Sequence, residues 1–174
     1  MTEILLLIAA ALLVALGGLM AALDAALGVT SRADLAEMAT SGRSATALGR
    51  IGADPEAHGN AVVFIRILAE TTAAVVVTVA FTIAFDSIWW AMLAAAVLMT
   101  VVSFVLVGAS PRAVGRQHAR GLLQACAPLV RGARIVLGPL AHLLVLVGNR
   151  VTPGIHRGAS FASEEQLLSM VDEA

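Results

Sequence analysis

Lysine and tyrosine are absent from these 174 residues, cysteine occurs once, and charged residues make up only 13%. Each shortage removes a class of protein. A lone Cys126 forms no internal disulfide and offers no CxxC or Cys/His spacing for zinc. HExxH, GxSxG and a Walker lysine are missing too, so the common hydrolase and nucleotide-binding frameworks are excluded and no enzymatic activity is expected. Asp24 and Asp86 are expected at opposite membrane faces, too far apart for an aspartyl dyad, and Ser110 with His118 reads as interface packing. His58, His118, His142 and His156 share no spacing. All 11 basic residues are arginine, an excess read as base composition, and the net charge is −1. No nucleic-acid partner is expected.

Apolar residues are what the chain has in quantity. They make up 59%, against roughly 45–50% in a soluble domain, and the mean hydropathy is +0.91. The expectation is an all-α membrane protein lying in a lipid bilayer. Ile4–Leu23 is 20 residues without a charge and follows Glu3 instead of a basic stretch, which fits a first span better than a cleaved signal. A second apolar run extends from Ala61 to Phe85, interrupted by Arg66 and Glu70, and a third, Ile88–Ala109, has 22 uncharged residues. Asp86-Ser87 between them is short enough only for a tight antiparallel hairpin, and Trp89 and Trp90 stand at that end as an interfacial aromatic belt would.

The arginines orient the spans. Arg32, Arg43 and Arg50 follow the first span, and Arg112, Arg116, Arg120, Arg131 and Arg134 follow the third. Basic segments favour the cytoplasm, so the expected arrangement is a multi-pass protein of the plasma membrane with its N-terminus outside, three transmembrane helices and a cytoplasmic C-terminus. Gly121–Val147 is apolar but carries Arg131, Arg134, Pro128 and Pro139, and its charge-free part, 135–149, is only 15 residues. It is expected as one or two juxtamembrane helices on the cytoplasmic face, arginines snorkelling to headgroups. The alternative, a fourth span, would place Arg150 and Arg157 outside.

Between the first two spans, Ser31-Arg-Ala-Asp34 has the form of a capping box, and Leu35, Met38, Ala45 and Leu48 share one arc of a helical wheel. A short amphipathic helix ending near Gly52 is expected there, followed by Asp54-Pro55-Glu56 as the start of the next. Ser163-Glu-Glu-Gln166 is a second capping box with Leu167, Leu168, Met170 and Val171 behind it. The expected division is a membrane domain over 1–150 and, over 151–174, a linker and the start of a further cytoplasmic region.

Several of these residues together resemble the CNNM/CorC family. Ala21-Ala-Leu-Asp24-Ala-Ala-Leu27 followed by Arg32, Leu35 and Gly42 is similar to the family's first span and charged helix, and Asp54-Pro-Glu56 is similar to its Asn-Pro-Glu opening of span two. Ser110-Pro-Arg112 stands where the family has Pro-Lys, and Ser163-Glu-Glu-Gln-Leu-Leu resembles its acidic lead into a CBS-domain pair. The resemblance implies divalent-cation handling, chiefly Na+-coupled Mg2+ export, by a homodimer carrying cytoplasmic CBS domains. Counted forward from Asp54, the family's span-two Asn falls on Glu70, its span-one Ser on Ala21, and the Glu before its Pro-Lys on Gly108. Two oxygen ligands are thus missing and one amide has become a carboxylate. The competing reading is a non-transporting membrane anchor, or a regulatory subunit, for a CBS pair.

Glu70 is the residue that cost singles out, since an acidic side chain within a span is penalised by roughly 2.5–3.5 kcal/mol. An ion pair with Arg66 at i−4 would offset that, and so would a bound cation; the two are compatible. The candidate ion-binding residues are Asp24, Glu70, Gly108 and Ser110, the last two because Pro111 should end the helix and leave carbonyls without donors. Asp24 reads equally well as a solvated helix end, and Gly108-Ala-Ser-Pro111 as a plain helix stop. Gly17 with Ala21 and Gly18 with Ala22 form small-xxx-small pairs, read as a candidate dimer seam.

Overall fold

Thirty uncharged or nearly uncharged residues at 1.5 Å each make about 45 Å of helix, enough to cross a hydrocarbon core of roughly 30 Å with turns to spare. The computed structural model describes residues 1–151 and builds them from helices, with no strand among the described residues. Its elements are α1 (Thr2–Val29), α2 (Arg32–Met38), α3 (Ala45–Ala53), α4 (Pro55–Ala84), α5 (Ile88–Val102), a π-helical turn (Ser103–Ala109), α6 (Ser110–Gln117) and α7 (Ala119–Val151). Residues 1–142 form one compact unit, and a second begins at Leu143. The acidic capping box at Ser163 and all but the first residue of the linker expected over 151–174 lie outside the described residues, and α7 continues across the expected division to Val151.

Local chemistry explains the boundaries. The Ser31 hydroxyl accepts from the Asp34 amide and donates to its carboxylate, closing the capping box of α2. Asp54 caps α4, its carboxylate accepting from the Ala57 amide at 3.2 Å with Pro55 in the first turn. That cap starts α4 six residues before the apolar run at Ala61. The single amphipathic helix expected before it is two helices: Gly42, at φ +99°, turns the chain between α2 and α3, a conformation open chiefly to glycine. The hairpin is as tight as expected, α4 ending at Ala84 and α5 starting at Ile88, with Trp89 and Trp90 exposed at its end.

Packing falls into two clusters. Along the spans, Ala10, Val14 and Ala21 of α1 meet Ala73 and Val77 of α4, with Ala95 and Met99 of α5 and Val107 of the π turn. Lipid offers no hydrophobic drive for helix pairing, so small residues that let backbones approach closely supply van der Waals contact instead. At the end of the spans beside α2 and α3, Met20, Leu23 and Ala26 of α1 join Leu35, Met38, Leu48 and Ile51 of α2 and α3 and Val62 of α4.

Four helices are long and apolar enough to cross a membrane: α1, α4, α5 through α6, and Ala119–Gly148. By length and composition this exceeds the three expected. The first turns of α7 nonetheless pack Leu123, Ala127 and Val130 into the cluster beside α2 and α3. The Ser44 hydroxyl donates to the Gln124 carbonyl at 2.6 Å, and Arg120 pairs with Glu37 at 2.8 Å. These bonds tie α7 to the polar connection between the first two spans, and the helix runs unbroken through Pro128 and Pro139.

Candidate ion site

Asp24 on α1 and Glu70 on α4 are brought to one place by the pairing of those two helices. Gly17 faces Glu70: a Cβ built there would stand 3.4 Å from the Glu70 Cγ and 3.8 Å from Val107. One to two turns further along α1, Asp24 meets Arg66. Higher positions on one helix match lower positions on the other, so the two run antiparallel.

Arg66 joins both acids. Its Nη1 lies 3.7 Å from the Asp24 carboxylate and its Nε lies 3.3 Å from that of Glu70. The Nε is buried yet makes no hydrogen bond of acceptable geometry among the described residues, so the contact to Glu70 is coulombic. Side-chain exposures of 19% for Arg66, 27% for Glu70 and 34% for Asp24 leave the trio half-buried where α1 and α4 meet. Among the described residues no group of three or more His, Cys, Asp or Glu gathers. A cation at this centre therefore has two carboxylates and must complete its shell with carbonyls, hydroxyls or water, an arrangement magnesium accepts.

The end of the third span differs from the expected stop. Pro111 does not terminate the helix; a π turn carries it through, with the Ser110 amide donating to Val105 five residues back. The next such bond would join residue 111 to Leu106, and proline has no N–H to give. The Leu106 carbonyl instead abuts Gly18, where a Cβ would come within 2.7 Å of it. The π register, with Pro111 five residues on, thus deprives the Leu106 carbonyl of the donor that pattern would give it. Val107 reaches the Gly17–Glu70 contact, whereas Ser110 is exposed and no hydrogen bond joins it to either carboxylate.

The small residues of α1 pack within the chain. Gly17, Gly18, Ala21 and Ala22 are all buried within one chain. Gly17 accommodates Glu70, Gly18 the Leu106 carbonyl, and the Ala22 backbone lies directly against Gly115 of α6. These four positions are thus engaged in packing within the chain.

A family model described as the cyclin M transmembrane N-terminal domain matches residues 7–174. The chain belongs to this CNNM family. It is also 40% identical over 164 residues, 93% of its length, to the UPF0053 protein Rv2366c of Mycobacterium tuberculosis and equally to the UPF0053 protein Mb2387c of Mycobacterium bovis. It spans 38% of the length of those relatives. In this CNNM domain Asp54 serves the fold by capping α4, and its carbonyl meets the Nδ1 of buried His58 at 2.7 Å.

Proposed function

We propose that the chain is the membrane domain of a transporter that moves a divalent cation, Mg2+ foremost, coupled to Na+, through the polar centre on Asp24 and Glu70. The observation that carries this is the pair of carboxylates facing each other across Arg66 inside an apolar helix bundle in a chain of the CNNM family. Charge at that depth is costly and persists where it serves ions or is paired. In the same reading the protein resides in the plasma membrane with its N-terminus outside, copies associate as homodimers, and a cytoplasmic CBS pair follows in the whole protein. With Gly17 and Gly18 occupied internally, the pairing surface lies elsewhere on the exposed apolar helix faces. The protein is a carrier and performs no bond chemistry.

The test is Mg2+ flux into liposomes holding the full-length protein, reported by a trapped magnesium dye with and without a Na+ gradient. Glu70→Gln and Asp24→Asn should each lower the flux at least about tenfold, the equivalent of 1.4 kcal/mol. Wild-type flux in both variants would overturn the assignment. A second reading, a non-transporting anchor or regulatory subunit for the CBS pair, is favoured by Arg66 already filling the centre; it requires that the wild type carry no Mg2+ under any gradient.

A further inference from the structure

Among the described residues, the two carboxylates and one guanidinium of the ion-pair trio sum to one formal negative charge. A divalent cation added there would have to share the space between Asp24 and Glu70 with a guanidinium of like sign, 3.7 Å and 3.3 Å from the two acids. At such distances in a half-buried site the repulsion between like charges is large. The guanidinium is also poorly held. Its Nε is buried without a hydrogen bond among the described residues, and the 3.7 Å contact to Asp24 exceeds the roughly 2.7–2.9 Å of a charge-assisted bond. It thus fills the centre without being locked in place.

We propose that Arg66 is a tethered competitor that governs which cation the centre accepts, an inference that rests on the reading of Asp24 and Glu70 as an ion site. With Arg66 inward, the remaining charge matches a monovalent cation or a proton. With Arg66 turned away, two carboxylates face each other and match a divalent cation. One divalent cation thus replaces the guanidinium together with one monovalent charge, and the tether converts ion exchange into movement of a side chain on α4. Arg66 sits one turn from Glu70 on the same helix, so its long side chain can leave the centre without displacing the backbone.

The experiment is calorimetric titration of Mg2+ into the full-length protein in nanodiscs, comparing wild type with Arg66→Gln, Arg66→Lys and Glu70→Gln. Removing the competitor should tighten Mg2+ binding about tenfold or more in Arg66→Gln. Lysine keeps the charge but lacks the fork that touches both acids, so Arg66→Lys should bind Mg2+ severalfold tighter than wild type and keeps a counter-charge should the glutamine variant not fold. Millimolar guanidinium should compete with Mg2+ in Arg66→Gln, a rescue that a purely structural arginine would not show. If Mg2+ binds no tighter in Arg66→Gln or Arg66→Lys while Glu70→Gln abolishes it, the competitor role is wrong and the ion site stands. If neither arginine variant nor wild type binds Mg2+, both are wrong.

Discussion

Gly115 of α6 sits so close to α1 that a methyl group there would collide with the backbone of Ala22, its carbonyl carbon at 2.8 Å and its Cα at 2.9 Å. Backbone atoms cannot rotate out of the way as a side chain can, so Gly115→Ala must push α6 off α1. Overpacking of this kind costs typically about 1–3 kcal/mol. Alanine's better helix propensity returns about 1 kcal/mol, leaving a net loss of up to roughly 2 kcal/mol, and more for Gly115→Leu. Gly59 on α4 is the internal control, because a Cβ there meets nothing within 4 Å. Gly59→Ala should therefore stabilise by about 0.5–1 kcal/mol. The two alanine variants should differ by about 2 kcal/mol, roughly thirtyfold in the folded-to-unfolded ratio. Reversible unfolding in mixed micelles, followed by circular dichroism, measures the difference. Equal stability of the two variants would refute the claim that α1 and α6 are in backbone contact at Gly115.

Other outcomes are as specific. A cysteine at Ser87, in a Cys126→Ala background, should react with an impermeant maleimide from outside the cell; labelling only from the cytoplasmic side would reverse the orientation. Glu70→Gln should remove Mg2+-dependent thermal stabilisation of the full chain, and retention of that stabilisation would place the cation elsewhere. Donation from the Ser31 hydroxyl and backbone amide holds the Asp34 carboxyl below its ordinary 3.8. Its folded value being depressed, the α2 cap contributes fully above 3.8 and is lost as pH falls through the lower folded value. Amide exchange in α2 should quicken over that acidic window in wild type but not in Asp34→Asn, and identical pH profiles would rule the cap out.

Membrane character, the three apolar runs, the hairpin at Asp86-Ser87 and the caps at Ser31 and Asp54 were legible in the amino-acid sequence. All depend on neighbours within a few residues: the length of an uncharged stretch, an oxygen three residues before an amide, a proline in a first turn. The cost of Glu70 was legible for the same reason, as was its i−4 partner Arg66. The tertiary structure decided what lies across from each residue. Only the pairing of α1 with α4 brings Asp24 to Arg66, and only the π turn at Ser103–Ala109 brings the Leu106 carbonyl to Gly18 and Val107 to Glu70. Gly17 and Gly18 illustrate the difference best. A small residue on a helix announces that something approaches closely, but the side chain it lacks carries no record of the partner, and here the neighbours within the chain are Glu70 and Leu106.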